Sequence, residues 1–178
     1  MTAAAVAPSK PQAAGAPTLR RRLACFVYEG VLLFGVVATA GLAYALVTQQ
    51  RHALVGSRGL QAWLFIIIGA YFVWFWSRHG QTLAMRTWHI RVVTRQGSTL
   101  TPGRALMRYL LSWVWFLPAL LTLHLAGLNA AGPVTFVLGV GVLGYAALTW
   151  LHPSRQYWHD IVCGTRLVEA RTDDDSRP

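Results

Sequence analysis

Of the 178 residues, 54% are hydrophobic and only 12% charged, with a mean hydropathy of +0.41. An ordinary soluble domain carries about 25% charged residues, so this composition excludes that class and points to the membrane. The net charge is +10, yet fifteen of the sixteen basic residues are Arg and most flank apolar runs; topology and anionic lipid headgroups explain them better than nucleic acid does.

Met1 to Leu19 is rich in Ala and Pro with a single Lys, cannot bury apolar surface, and reads as a disordered tail. Arg20, Arg21 and Arg22 then lead into Leu23 to Val47, twenty-five mostly apolar residues. A run of that length spans a hydrocarbon core of about 30 Å as a helix. It resembles a signal peptide with Ala38-Thr39-Ala40 as cleavage site, but it is too long for a signal core, carries Glu29 and is followed by further apolar runs. It therefore reads as an uncleaved first span. After Glu29 no acid occurs until Asp160, although thirteen Arg lie between Arg20 and Arg166. An ionisable group inside a span faces protein or water with a partner, and marks a functional site. The plainer reading is that Glu29 pins helices together through an arginine.

A polar loop from Thr48 to Gly59 precedes a second span, Leu60 to Trp76, whose Tyr71, Phe72, Trp74, Phe75 and Trp76 suit an aromatic belt at the headgroups. Ser77 to Arg104 carries five Arg and no acid, so it is expected to be cytoplasmic. The third span, about Ala105 to Ala126, begins with Arg108 and should kink at Pro118. A short Gly127 to Gly132 connection leads to a fourth span, Pro133 to about Leu151, where Gly139, Gly141 and Gly144 admit close helix approach. The arginine distribution places both termini in the cytoplasm, with an acidic tail at 171–178. In the polar segment, Ile90 to Thr94 has strand composition, Gln96-Gly97 a turn, and Ser98 to Thr101 a return strand. Thr165 to Glu169 is expected to pair with Ile90 to Thr94, because a two-stranded hairpin alone is marginal.

Three pieces then fit together: Arg22 with an acid seven residues on, Gly80-Gln81-Thr82-Leu83 leading to Ile90-Arg91-Val92-Val93, and His159-Asp160 followed by Gly164-Thr165. Over residues 20–170 this pattern resembles the RDD family of bacterial multi-pass membrane proteins. The resemblance implies that Arg22 is the family arginine, that the first acid falls on Glu29 in place of an aspartate, and that Asp160 is the second aspartate. It also implies sodium or proton antiport for some members, with no settled activity for the family. Glu29 keeps the carboxylate but reaches about 1.5 Å further than Asp. A Gly-Lys pair usual after the Thr is here Ala84-Met85, with Arg86 next.

Read from the residues alone, Arg22 and Glu29 lie two turns apart, about 10.5 Å along one helix face, so each needs a partner on another helix. Arg108 is the expected partner for Glu29, and Arg86, Arg22 or the Arg155 side for Asp160. The plain alternative makes Asp160 a helix-capping or loop-bracing carboxylate. His79, His89 and His159 share the cytoplasmic side but lack metal-ligand spacing, and Cys25 and Cys163 form neither a disulfide framework nor a metal pair. No cofactor motif, nucleophile elbow, phosphate loop or paired acid-base carboxylates are present, so an enzyme is not expected. The sequence reads as an all-α inner-membrane protein of four transmembrane helices with a small cytoplasmic β element. Its expected role is that of a scaffold or accessory protein. The alternative, ion or proton transport through Glu29, calls for a homo-oligomer or another membrane protein as partner.

Overall fold

Thr18 caps the first helix by accepting from the Arg21 N–H at 3.4 Å, and α1 then runs unbroken from Leu19 to Thr48, 30 residues. At 1.5 Å per residue that is about 45 Å, well beyond a hydrocarbon core of about 30 Å. Its first turns therefore stand clear of any apolar layer. The structure is a computed structural model, and residues 15–49, 57–127, 131–148 and 156–170 are described. The tail at 1–14, most of the first loop, the expected end of the fourth span at Leu151, and the acidic tail at 171–178 lie outside them.

The remaining order is α2 (Ser57–Arg78), α3 (Leu83–Thr87), β1 (Ile90–Thr94), α4 (Pro102–Ser112), a 3-10 turn (Trp113–Trp115), α5 (Leu117–Ala126), α6 (Ala131–Ala147), α7 (Trp158–Val162) and β2 (Thr165–Glu169). The third apolar run is thus two helices. Pro118 has no N–H, and its ring crowds the carbonyl four residues earlier, at Val114; the tightened 3-10 turn sits at that place. α6 packs on α5, where a Cβ added at Gly141 would lie 3.0 Å from the Ala119 Cβ. Three segments are long and apolar enough to cross a membrane, Leu19–Thr48, Arg58–Arg78 and Pro102–Leu123, while the apolar part of α6, Gly132–Ala147, is shorter. Of the four spans expected, three meet that length.

Burial is inverted relative to a soluble domain. Val47 is 84% exposed, Leu125 77% and Phe34 75%, whereas Arg22, Glu29, Arg108, His159 and Asp160 are all buried. Apolar residues outside and ionisable residues inside is the arrangement a hydrocarbon solvent selects.

At one end of the helices the polar segments build a cap around β1 and β2, which pair antiparallel with Ile90 opposite Glu169 and Thr94 opposite Thr165. That pairing bears out the sequence expectation. The expected return strand at Ser98 to Thr101 does not form among the described residues. Gly97 takes φ +88°, Ser98 folds back on Thr94 through Thr94 N–H to Ser98 O at 2.9 Å, and Thr101 becomes the N-cap of α4. The outer edge of β1 is instead satisfied by Gly80, whose carbonyl accepts from Val92 N–H at 2.8 Å, and by Gln81, whose Nε2 donates to the Ile90 carbonyl at 2.9 Å. The outer edge of β2 is covered by Gln156: its Oε1 accepts from Leu167 N–H at 2.9 Å and its Nε2 donates to Leu167 O at 3.1 Å. One side chain thereby stands in for a third strand, and the two-stranded ribbon keeps few open edge groups.

Candidate functional site

The two carboxylates singled out in the sequence sit in separate clusters. Asp160 is on α7, wholly buried, with three groups converging on Oδ1: Arg108 Nε at 2.8 Å, the Thr165 hydroxyl at 3.2 Å and His159 Nε2 at 3.5 Å. Its Oδ2 is buried with no hydrogen-bond partner among the described residues. The Arg108 guanidinium also lies over the Trp76 ring, 4.1 Å from its centroid, so one cation is shared between a carboxylate and an aromatic face. Thr165 donates in addition to the Asp160 carbonyl at 3.2 Å, so the turn through Gly164, at φ +65°, is tied to the helix it follows.

Burial by itself would push the Asp160 carboxyl up, but the Arg108 charge, His159 and the hydrogen bonds from Arg108 and Thr165 outweigh it and hold the group below the ordinary carboxylate range. Burial pushes His159 down to about 4, against the pull of Asp160. The ring is therefore neutral near pH 7. Tyr145 Oη accepts from the His159 backbone N–H at 3.3 Å and stands 3.2 Å from Nδ1; with Tyr145 donating to Nδ1, the ring proton sits on Nε2, facing Asp160. The rings of Tyr145, Tyr157 and His159 stack on one another at centroid separations of 5.6–6.3 Å. Arg22 enters the same cluster from α1, 5.4 Å from the Tyr157 ring centroid, with its Nε donating to the Pro17 carbonyl at 2.9 Å and its charge within electrostatic reach of Asp160.

Glu29 is held differently. Tyr71 of α2 donates to Oε1 at 2.8 Å, and Thr82, the N-cap of α3, donates to Oε2 while its hydroxyl accepts from Met85 N–H at 3.2 Å. Three elements meet on this carboxylate, and among the described residues it forms no ion pair. Its depth follows from Thr82: Glu29 lies where the polar segment after α2 reaches back to α1, beside the buried Ala84 and Met85 of α3. A carboxylate with neutral donors only can take up a proton or a small cation; one locked to a buried arginine cannot without breaking that pair.

The expected partnerships are therefore corrected. Arg108 belongs to Asp160 rather than to Glu29, because the α4–α7 contact brings their side chains together while Glu29 faces α2 and α3. Among the described residues Arg86, exposed on α3, serves neither acid, while Arg22 shares the Asp160 cluster; Arg155 lies outside the described residues. His79 and His89 are exposed and His159 buried, and among the described residues no group of three or more His, Cys, Asp or Glu could hold a metal. Tyr145 and Gln156 had no role in the sequence reading, while Tyr71 was placed in the aromatic belt and Thr165 at the start of a strand, neither of them on a carboxylate. Thr165 alone had a signal, in its place after His159-Asp160 and Gly164.

The model of the RDD family matches residues 16–164, most of the chain. No curated protein and no solved structure matches it.

Proposed function

Because the chain belongs to the RDD family, we propose that it is a multi-pass protein of the bacterial inner membrane, with both termini cytoplasmic, that acts as a scaffold or accessory protein. The observation that carries this reading is the Asp160 cluster, in which one buried carboxylate braces α4, α7 and β2 against each other. Such a braced cap presents a fixed surface. Four crossings are supported by the sheet: β1 follows α2 and β2 is the last described element, so their pairing, with the Arg21–Glu169 ion pair at 3.0 Å, favours one side for both. On this reading the chain from α4 to α6 crosses and returns. Labelling of Gly97→Cys from outside intact cells would overturn that topology.

A second reading, proton or sodium transport through Glu29, is favoured by its set of hydroxyl donors without a cation. One assay separates the two. In proteoliposomes, a scaffold gives no pH- or sodium-gradient-driven flux above empty vesicles, with wild type and Glu29→Gln alike. Transport gives flux in wild type that Glu29→Gln abolishes while the unfolding transition persists.

A further inference from the structure

The short helix α7 has two unlike sides. His159 and Asp160 are turned into the core, while Trp158 is 68% and Val162 56% exposed. α7 packs on α4, where Arg108 reaches Asp160. Two exposed arginines border the apolar side formed by Trp158 and Val162. Arg95, just beyond β1, donates Nη2 to the Ile161 carbonyl at 2.9 Å. Arg104, in the first turn of α4, acts electrostatically on Cys163 at the end of the same short helix. Among the described residues the acids are Glu29 and Asp160, both buried, and Glu169, paired with Arg21. No exposed carboxylate answers Arg95 or Arg104 there.

We propose that this face is a binding site for an anionic phospholipid, with Arg95 and Arg104 on the headgroup phosphate and Trp158 and Val162 along the glycerol backbone and upper acyl chains. Guanidinium groups match phosphate geometry, and an exposed Trp beside basic residues is the side-chain pattern of the membrane interface. Free phosphate would gain nothing from the apolar strip, and a soluble acidic peptide would leave Trp158 and Val162 to be covered by something else. That this face meets the cytoplasmic leaflet rests on the proposed topology; the site itself does not, because symmetric nanodiscs offer the same lipid on both sides.

The test uses the full chain with Cys25→Ala, Cys163→Ala and Val162→Cys, labelled with bimane at position 162. It is reconstituted in zwitterionic nanodiscs doped with brominated phosphatidylglycerol or brominated phosphatidylcholine. Each arginine near an anionic surface multiplies binding by about five, so quenching should reach half-maximum at roughly 25-fold lower mole fraction of the anionic lipid at low salt. Arg95→Gln with Arg104→Gln should bring the two curves together, and Arg95→Lys with Arg104→Lys should keep them apart. Raising the salt should narrow the gap in the unsubstituted arginine background, a readout independent of whether the variants fold. Equal quenching by both lipids would reduce the face to general lipid contact and overturn the proposal. Absence of quenching by either lipid would show the face covered by protein and overturn it as well.

Discussion

Asp160→Asn removes the charge from the most deeply buried ionisable group, whose partner Arg108 has a side chain only 7% exposed. The amide keeps the volume and can still accept from Thr165, so the loss falls on the ion pair. Breaking a buried pair from one side leaves an uncompensated charge and costs about 3–5 kcal/mol. That is a large share of a total stability of about 5–15 kcal/mol. Arg108→Met should cost a similar amount, with the added loss of the contact over Trp76. The double variant has no stranded charge, so the cycle should show about 2–3 kcal/mol of coupling. Reversible unfolding in mixed micelles, followed by tryptophan fluorescence against mole fraction of a denaturing detergent, gives each corner of the cycle. The companion cycle of Glu29→Gln with Arg108→Met should be additive within about 0.5 kcal/mol, since those residues do not touch. Coupling in the second cycle and none in the first would refute the assignment of Arg108 to Asp160.

His159 supplies a pH dependence. Its folded pKa of about 4 lies below the ordinary histidine value of 6.5, so between those values the unfolded chain binds more protons and stability falls as pH drops. The change is on the order of 3 kcal/mol from pH 7.5 to pH 4; Asp160, held below the usual carboxylate range, adds a further loss only at more acid pH. His159→Phe should flatten the upper part of this profile, and a flat wild-type profile would contradict the assignment. Gln156→Ala strips both edge groups of Leu167, and each buried group left open costs about 1–3 kcal/mol; hydrogen exchange at the Leu167 amide should rise first, and unchanged protection would count against the strand-mimic role. At Gly69 an added Cβ would stand 2.9 Å from the Tyr109 ring, so Gly69→Ala should push α4 off α2 and lower the unfolding midpoint, whereas Ala70→Gly beside it should act only through helix propensity.

What was legible in the sequence was what depends on one segment at a time. The apolar runs set the helices, and the β-branched stretches at Ile90 to Thr94 and Thr165 to Glu169 announced their pairing. Pro118 announced a kink in the third run, but not that the break falls over 113–116, since its effect acts a turn upstream of the proline itself. Nor could length and composition assign partners. Among thirteen arginines between Arg20 and Arg166, the one that meets Asp160 is decided by the crossing of α4 with α7. Sequence distance favours none of them. Gln156 was illegible for the same reason: an amide before a short helix gives no local sign that it will pair with a strand edge eleven residues on.

The partner assignment changes what the family pattern means in this chain. Read along the sequence, Arg22 and the two acids look like one charged motif, but the structure divides them between two sites. Arg22 joins Asp160, His159 and Arg108 at the cap, where Asp160 is already matched by Arg108 and a titration would break that pair before it served any other purpose. Glu29 is left with Tyr71 and Thr82. Because the Thr82 hydroxyl both caps α3 and donates to Glu29, it can turn from donor to acceptor when the carboxyl takes a proton, without losing the bond to Met85 N–H. The extra methylene of Glu relative to the family's Asp extends its carboxyl toward that hydroxyl. A Glu29→Asp variant should therefore keep Tyr71 and loosen Thr82, raising amide exchange at Met85 and Arg86 in the first turn of α3 while the ribbon stays protected. Equal protection of α3 in the two proteins would mean that the cap of α3 stands without Glu29, and the link between this acid and the polar layer would fall.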